Sequence, residues 1–171
     1  MKIRNNLFIL LSLSIAGLFS ACKKENSNST LQVKLTDNPA AYQEVNIDLI
    51  GVSVKLSKDT TKWVELEPVV GVYNLLGLQN GLDTLIGTLT LPTAIVKEIR
   101  LVLGPNNTIK VNDTIYPLTI PSGDESGLKI KVSKKLEATI ETLIIDFDAA
   151  LSIKEEGPGV YKLKPVLKIK P

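Results

Sequence analysis

From Leu31 onward the apolar residues of this chain fall largely at every second position, a period that argues against any fold built mainly from helices. Val45, Ile47 and Leu49 alternate with Asn46 and Asp48, and Ile99, Leu101 and Leu103 alternate with Glu98, Arg100 and Val102. Leu128, Ile130 and Val132 alternate with Lys129 and Lys131, while Leu143, Ile145 and Phe147 oppose Asp146 and Asp148. Tyr161, Leu163, Leu167 and Ile169 read as a last strand with Lys162, Lys164, Lys168 and Lys170 on its other face. Successive side chains point to opposite faces of a strand, so each run offers one face to a core and one to water. Between Leu49 and Val52 the apolar set moves from odd to even numbers. One extra residue restores the facing of a strand, and the sequence predicts a β-bulge at Gly51.

Turn residues punctuate these runs at Asp37-Asn38-Pro39, Gln79-Asn80-Gly81, Asn112-Asp113 and Gly157-Pro158-Gly159. No stretch holds a 3.6-residue period for ten residues. Eight or nine short strands in one domain, residues 31–171, predict an all-β, antiparallel β-sandwich. Lysine on an edge strand discourages pairing with other chains, and the Lys-rich terminal strand suits that place.

The segment before this domain reads as an address. Lys2 and Arg4 precede an apolar run from Leu7 to Phe19, too short to span a bilayer but fitting the core of a secretory signal. It ends in Leu18-Phe19-Ser20-Ala21-Cys22, which resembles the lipobox of bacterial lipoproteins, with Phe19 where Leu is usual. The expectation is a signal peptide over residues 1–21 and a lipidated Cys22, whose acyl chains would attach the protein to a membrane. Residues 23–30 are all polar and read as a tether reaching about 15 Å. Lys23, rather than Asp, follows the cysteine, so delivery to the outer membrane is expected. Lys23-Lys24-Glu25 resembles a surface-export signal, with the periplasmic face as the alternative.

Composition removes several chemistries. There is no histidine, and Cys22 is the single cysteine, which excludes a Ser-His-Asp triad, a Cys-His pair and a His/Cys zinc site. Lys and Arg total 20 and Asp and Glu 18, and without Lys2 and Arg4 the charges balance. A nucleic-acid partner is not expected of such a chain.

Several phrases in order, Leu35-Thr36-Asp37-Asn38-Pro39, Val45 to Val52, Ile99 to Gly104, Pro121-Ser122-Gly123, Asp146 to Ala150 and Tyr161 to Pro165, resemble the bacterial lipoprotein domain of unknown function (DUF) 4382. The resemblance spans about residues 31–170. It implies an extracytoplasmic β-sandwich of immunoglobulin-like or transthyretin-like character and brings no activity with it.

The candidate sites are few. Asp146 and Asp148, two apart on a strand, present both carboxylates to one face, and Asp37 and Asp48 join them if their segments are neighbours. Hard oxygens of this kind suit Ca²⁺, the one cofactor considered. The competing reading pairs these acids across strands with Lys162 and Lys164. Loops on a rigid sandwich are the usual seat of recognition, which singles out Asn106 and Asn107 in one loop and Ser122, Asp124, Glu125 and Ser126 in another. Trp63, the only tryptophan, is expected in the core, with an exposed stacking ring as the alternative.

The resulting expectation is a lipid-anchored, non-enzymatic binding or adhesion-type module whose partner is an extracellular protein or glycan. A fimbria-associated structural or anchor subunit is the alternative. A carboxylate hydrolase is disfavoured, because Asp146 and Asp148 alternate on one strand, whereas glycosidase carboxylates face each other across a cleft.

Overall fold

The computed structural model describes residues 28–121, 127–137 and 139–170. The expected lipidation site Cys22 and the loop residues Ser122, Asp124, Glu125 and Ser126 lie outside the described residues. Among the described residues fourteen strands make up most of the fold: β1 (Asn28–Thr36), β2 (Glu44–Leu56), β3 (Asp59–Glu65), β4 (Glu67–Pro68), β5 (Gly71–Asn74), β6 (Thr84–Pro92), β7 (Ile95–Leu103), β8 (Thr108–Val111), β9 (Thr114–Thr119), β10 (Leu128–Lys135), β11 (Ile140–Phe147), β12 (Ile153–Gly157), β13 (Val160–Leu163) and β14 (Leu167–Lys170). The helical elements are a 3₁₀ turn, Leu75–Leu78, and one short helix, α1 (Ala149–Ser152). Among the described residues no helix is long and apolar enough to cross a membrane.

The smaller sheet has the order β14-β11-β1-β6-β4, and the larger runs β10-β7-β2-β8-β9-β13-β12, with β3 and β5 also on β2. A single core joins Leu31, Val33 and Leu35 of β1, Val45, Ile47, Leu49, Val52 and Val54 of β2, Ile99 and Leu101 of β7, and Ile145 and Phe147 of β11. All are fully buried, as the period-two pattern requires. The fold is an all-β, sandwich-like one. Its sheets are mixed rather than antiparallel throughout, because β1 runs parallel to β11 and β9 parallel to β13. More than eight or nine strands arise because the thirteen-residue β2 is covered by four shorter ones. Strands β7 and β8 follow one another along one edge of β2, and β3 and β5 along the other.

The bulge falls where the pattern places it. In the β2–β7 ladder Leu49 faces Leu103 and Gly51 faces Val102, which leaves Ile50 without an opposite residue and turned half into solvent. Buried apolar positions are odd before it and resume at Val52 and Val54 after it. The two-residue Asn112-Asp113 loop joins β8 to β9 with positive φ at both positions, the geometry of a type I′ hairpin turn.

Two expectations about segment boundaries change. The proposed tether ends sooner, because Asn28–Thr30 already belong to β1: Ser29 is buried and its hydroxyl donates to the Thr139 carbonyl at 2.8 Å. The expected last strand is two strands in different sheets, β13 beside β12 and β14 beside β11. Pro165 sits at the crossing and has no N–H to continue a ladder. The buried Ser152 holds the crossing instead, its carbonyl accepting the Lys164 N–H at 2.7 Å and its hydroxyl oxygen the Val166 N–H at 2.8 Å.

Candidate functional site

Residues 104–107 loop out between β7 and β8 while both strands stay on the same edge of β2. The gap leaves backbone groups of β2 without a ladder partner, and buried N–H and C=O groups need one. Asn107 fills it. Its side-chain oxygen accepts the Asp48 N–H at 2.9 Å, and its Nδ2 donates to the Gly104 carbonyl at 2.7 Å. The Gly104 N–H in turn donates to the Asp48 carbonyl at 2.7 Å, and the Leu118 N–H to the Asn107 carbonyl at 2.8 Å. Asn106 caps the arrangement by donating both its N–H and its Nδ2 to Asp48 Oδ2, at 3.2 and 2.9 Å.

This locked loop forms one wall of a cavity of about 470 Å³. Ile50 from the bulge, Leu103, Pro105, Pro117 and Ile120 line it, with Gly104, Asn107, Leu118 and Thr119. The loop expected to recognise a ligand therefore does border a hollow, but with a different chemistry. Asn107 is buried and bonds to the scaffold, and the Asn106 amide is held by Asp48, so the hollow offers mainly apolar surface.

The four candidate calcium ligands separate into two places. Asp48 belongs to the loop just described. Asp37, Asp146 and Asp148 come together at the other sheet, where Thr36 faces Asp146 in the β1–β11 register. Asn38 Nδ2 donates to Oδ2 of both Asp146 and Asp148, at 2.8 and 3.3 Å. Asp37 Oδ1 accepts the Ala149 N–H at 2.9 Å and its Oδ2 accepts Gln79 Nε2 at 3.3 Å. Asp148 caps α1 by accepting the Leu151 N–H at 3.0 Å. Burial pushes the Asp37 carboxyl above the usual carboxylate range; hydrogen bonds from Ala149, Gln79 and Asn38 oppose this, and the charge of Asp146 adds to it.

Among the described residues no group of three or more carboxylates stands in a geometry that could hold a metal ion. The oxygens are mostly taken by amide donors, and Asp146 Oδ1 is a buried atom without a partner. The lysine pairing expected for these acids also differs. Asp148 meets Lys168 at 3.7 Å, whereas Lys162 goes to Glu156, because β14, not β13, lies beside β11.

Trp63 is a further correction. It stands half-buried on β3, outside the core, with the Lys55 ammonium 4.7 Å and the Arg100 guanidinium 4.6 Å from its ring centre. Two cations over one ring satisfy it electrostatically and occupy the surface that a stacked sugar would need.

No curated protein and no solved structure matches this chain. A family model described as "Domain of unknown function (DUF4382)" matches residues 28–165, from the first strand to the sheet crossing at Pro165. That span covers most of the chain and every strand but β14, and the protein belongs to the DUF4382 family.

Proposed function

We propose that this protein is a non-enzymatic binding module of the bacterial cell envelope, held by lipid on Cys22 at the outer membrane and facing outward. Its recognition surface is the cavity beside residues 104–107, and its partner is an extracellular protein or glycan that presents an apolar group. The observation that carries the reading is the placing of Ile50. A bulge turns a large apolar side chain half into solvent at the rim of a hollow whose walls are fixed by hydrogen bonds. Rigid walls reduce the ordering cost of binding, which is how a modest hollow holds a ligand. The anchor is supported by the sequence alone, since β1 begins six residues after Cys22 and the domain would sit close to the membrane surface.

Separate measurements test the anchor, the orientation and the cavity. Cys22→Ser should abolish palmitate labelling and release the protein from the membrane fraction, and protease added to intact cells should digest the wild-type domain. Unchanged fractionation of Cys22→Ser overturns the anchor, and full protection from protease overturns the outward orientation. The whole chain in detergent should bind members of an array of glycans and extracellular proteins, and Ile50→Lys should lose that binding without loss of fold. A blank array, or binding that survives Ile50→Lys, removes the cavity from consideration.

A further inference from the structure

Strand β10 ends the larger sheet and β14 ends the smaller one, and the two lie side by side with no ladder between them. The sandwich is open along this flank. Two hollows of about 420 and 350 Å³ run along β10 and meet at Lys131, which lines both. Their floor is the inward-facing row of the two edge strands, Ile130, Val132, Leu167 and Ile169, each only partly covered by the core.

The rim is lysine, and among the described residues no acidic residue lines either hollow. Lys134 is bound to Glu141 at 2.9 Å. Lys131, Lys164 and Lys170 make no salt bridge among the described residues: Glu98, opposite Lys131, goes to Lys55, and Glu156 is held by Lys162. In a chain of formal net charge only +2, this concentrates positive charge on one flank. The same flank carries an edge strand, β10, that ladders with β7 alone among the described strands.

We infer that this flank is a docking groove for an extended, acidic segment of another protein, which adds to β10 as a strand, sets alternate apolar side chains on the Ile130–Val132–Leu167–Ile169 floor and places its carboxylates against Lys131, Lys164 and Lys170. Strand addition draws affinity from main-chain hydrogen bonds and specificity from pockets for alternate side chains, and the floor repeats at that period. The lysines select the partner. A second copy would bring the same row of ammonium groups, and like charges across an edge are unfavourable, whereas an acidic strand is complementary. A bilayer surface would meet the lysines but could not enter two narrow hollows between sheets. The inference concerns the opposite chemistry from the Ile50 cavity and depends on neither that cavity nor the anchor.

The test uses the whole chain in detergent and a dye-labelled peptide alternating Val and Glu. Fluorescence anisotropy should report binding that weakens as salt is raised, and Lys131→Glu with Lys170→Glu should weaken it about tenfold or more, as expected for lost charge complementarity. The variant's circular dichroism and melting midpoint check that it is folded, and the single Lys164→Glu gives a second, milder probe. A control peptide with Pro in place of each Val should not bind, because it cannot continue a ladder. No binding of the Val-Glu peptide at low salt overturns the inference, as does equal binding by the Pro peptide. Lysine-dependent binding to phosphatidylglycerol vesicles in place of the peptide overturns it in favour of a membrane-facing flank.

Discussion

The side chain of Asn107 stands in for a missing strand partner of Asp48, accepting its N–H at 2.9 Å inside a gap of the β2 edge. It is 2 % exposed, so water does not share this task. Replacing it with Ala leaves the Asp48 N–H and one bond of the Gly104 carbonyl unmade, at about 1–3 kcal/mol for each buried group. Asn107→Ala should therefore lower the unfolding free energy by about 2–6 kcal/mol in urea titration. A shift in midpoint no larger than that of a surface substitution would refute the role.

Gly104 is the second half of the same device, and its reason is close approach rather than unusual dihedrals. A Cβ there would fall 2.8 Å from the Asp48 carboxylate carbon and 2.9 Å from Ile50 Cγ2. Either the carboxylate leaves Asn106 or the bulge shifts. Gly104→Ala should cost about 1–3 kcal/mol, the usual range for overpacking, and alter the shape of the Ile50 cavity. Gly77→Ala, where a Cβ meets nothing within 4 Å, is the matched control and should move the midpoint far less.

Asp37 carries a pH signature whose sign follows from burial. Its carboxyl is raised above the ordinary aspartate value, so over the pH range between the two the folded state holds a proton that the unfolded chain has already released. Stability from this group is complete below the unfolded value and is lost as pH rises through the higher folded one. At neutral pH the buried charge, next to Asp146, is a net cost. Asp37→Asn can still accept from the Ala149 N–H, so it should stabilise the protein at neutral pH and confer less advantage as the solution is acidified. Melting temperatures of the two proteins across the acidic range decide the matter. A gap that is constant with pH, or that widens toward acid, is inconsistent with this account.

What could be read from the sequence was local. The shift of parity at Gly51 specified the bulge, and Asn112-Asp113 specified a hairpin, because each depends only on neighbours in the chain. Residue type alone marks Asp37, Asp48, Asp146 and Asp148 as candidates to converge, and the β1–β11 pairing decides that Asp37 does while Asp48 goes elsewhere. Residue type does not mark their lysine partner, because that depends on which sheet receives the terminal segment, and the crossing at Pro165 sends Lys168 rather than Lys162 to this place. The parallel pairing of β1 with β11 joins segments more than a hundred residues apart, and no alternation within either strand encodes it. From its loop setting alone Asn107 is expected to contact a ligand. Its flanking strands share one edge of β2, and only that long-range fact reveals a gap that a side-chain amide must fill. The open flank between β10 and β14 is legible in neither strand alone, since each reads simply as an edge rich in lysine.

Trp63 was misplaced because an aromatic on an alternating strand looks the same from either face, and its cations come from β2 and β7, its neighbours across the sheet. Arg100 does three things there: it covers the ring, its Nε donates to the buried Ser53 hydroxyl at 2.9 Å, and it pairs with Glu65 at 3.1 Å. Replacement by Met keeps most of the stem but removes all three polar contacts. Arg100→Met should cost about 2–4 kcal/mol, summed from a cation–π contact and a hydrogen bond to a charged donor. Because Trp63 is the only tryptophan, intrinsic fluorescence reports this one ring. Its emission should move to the red as water reaches the face that the guanidinium covered. Lys62→Met, whose ion pair with Asp59 is long and lies on the open surface, should change neither stability nor spectrum. If Arg100→Met left the emission maximum in place, the guanidinium would not be shielding the ring in solution.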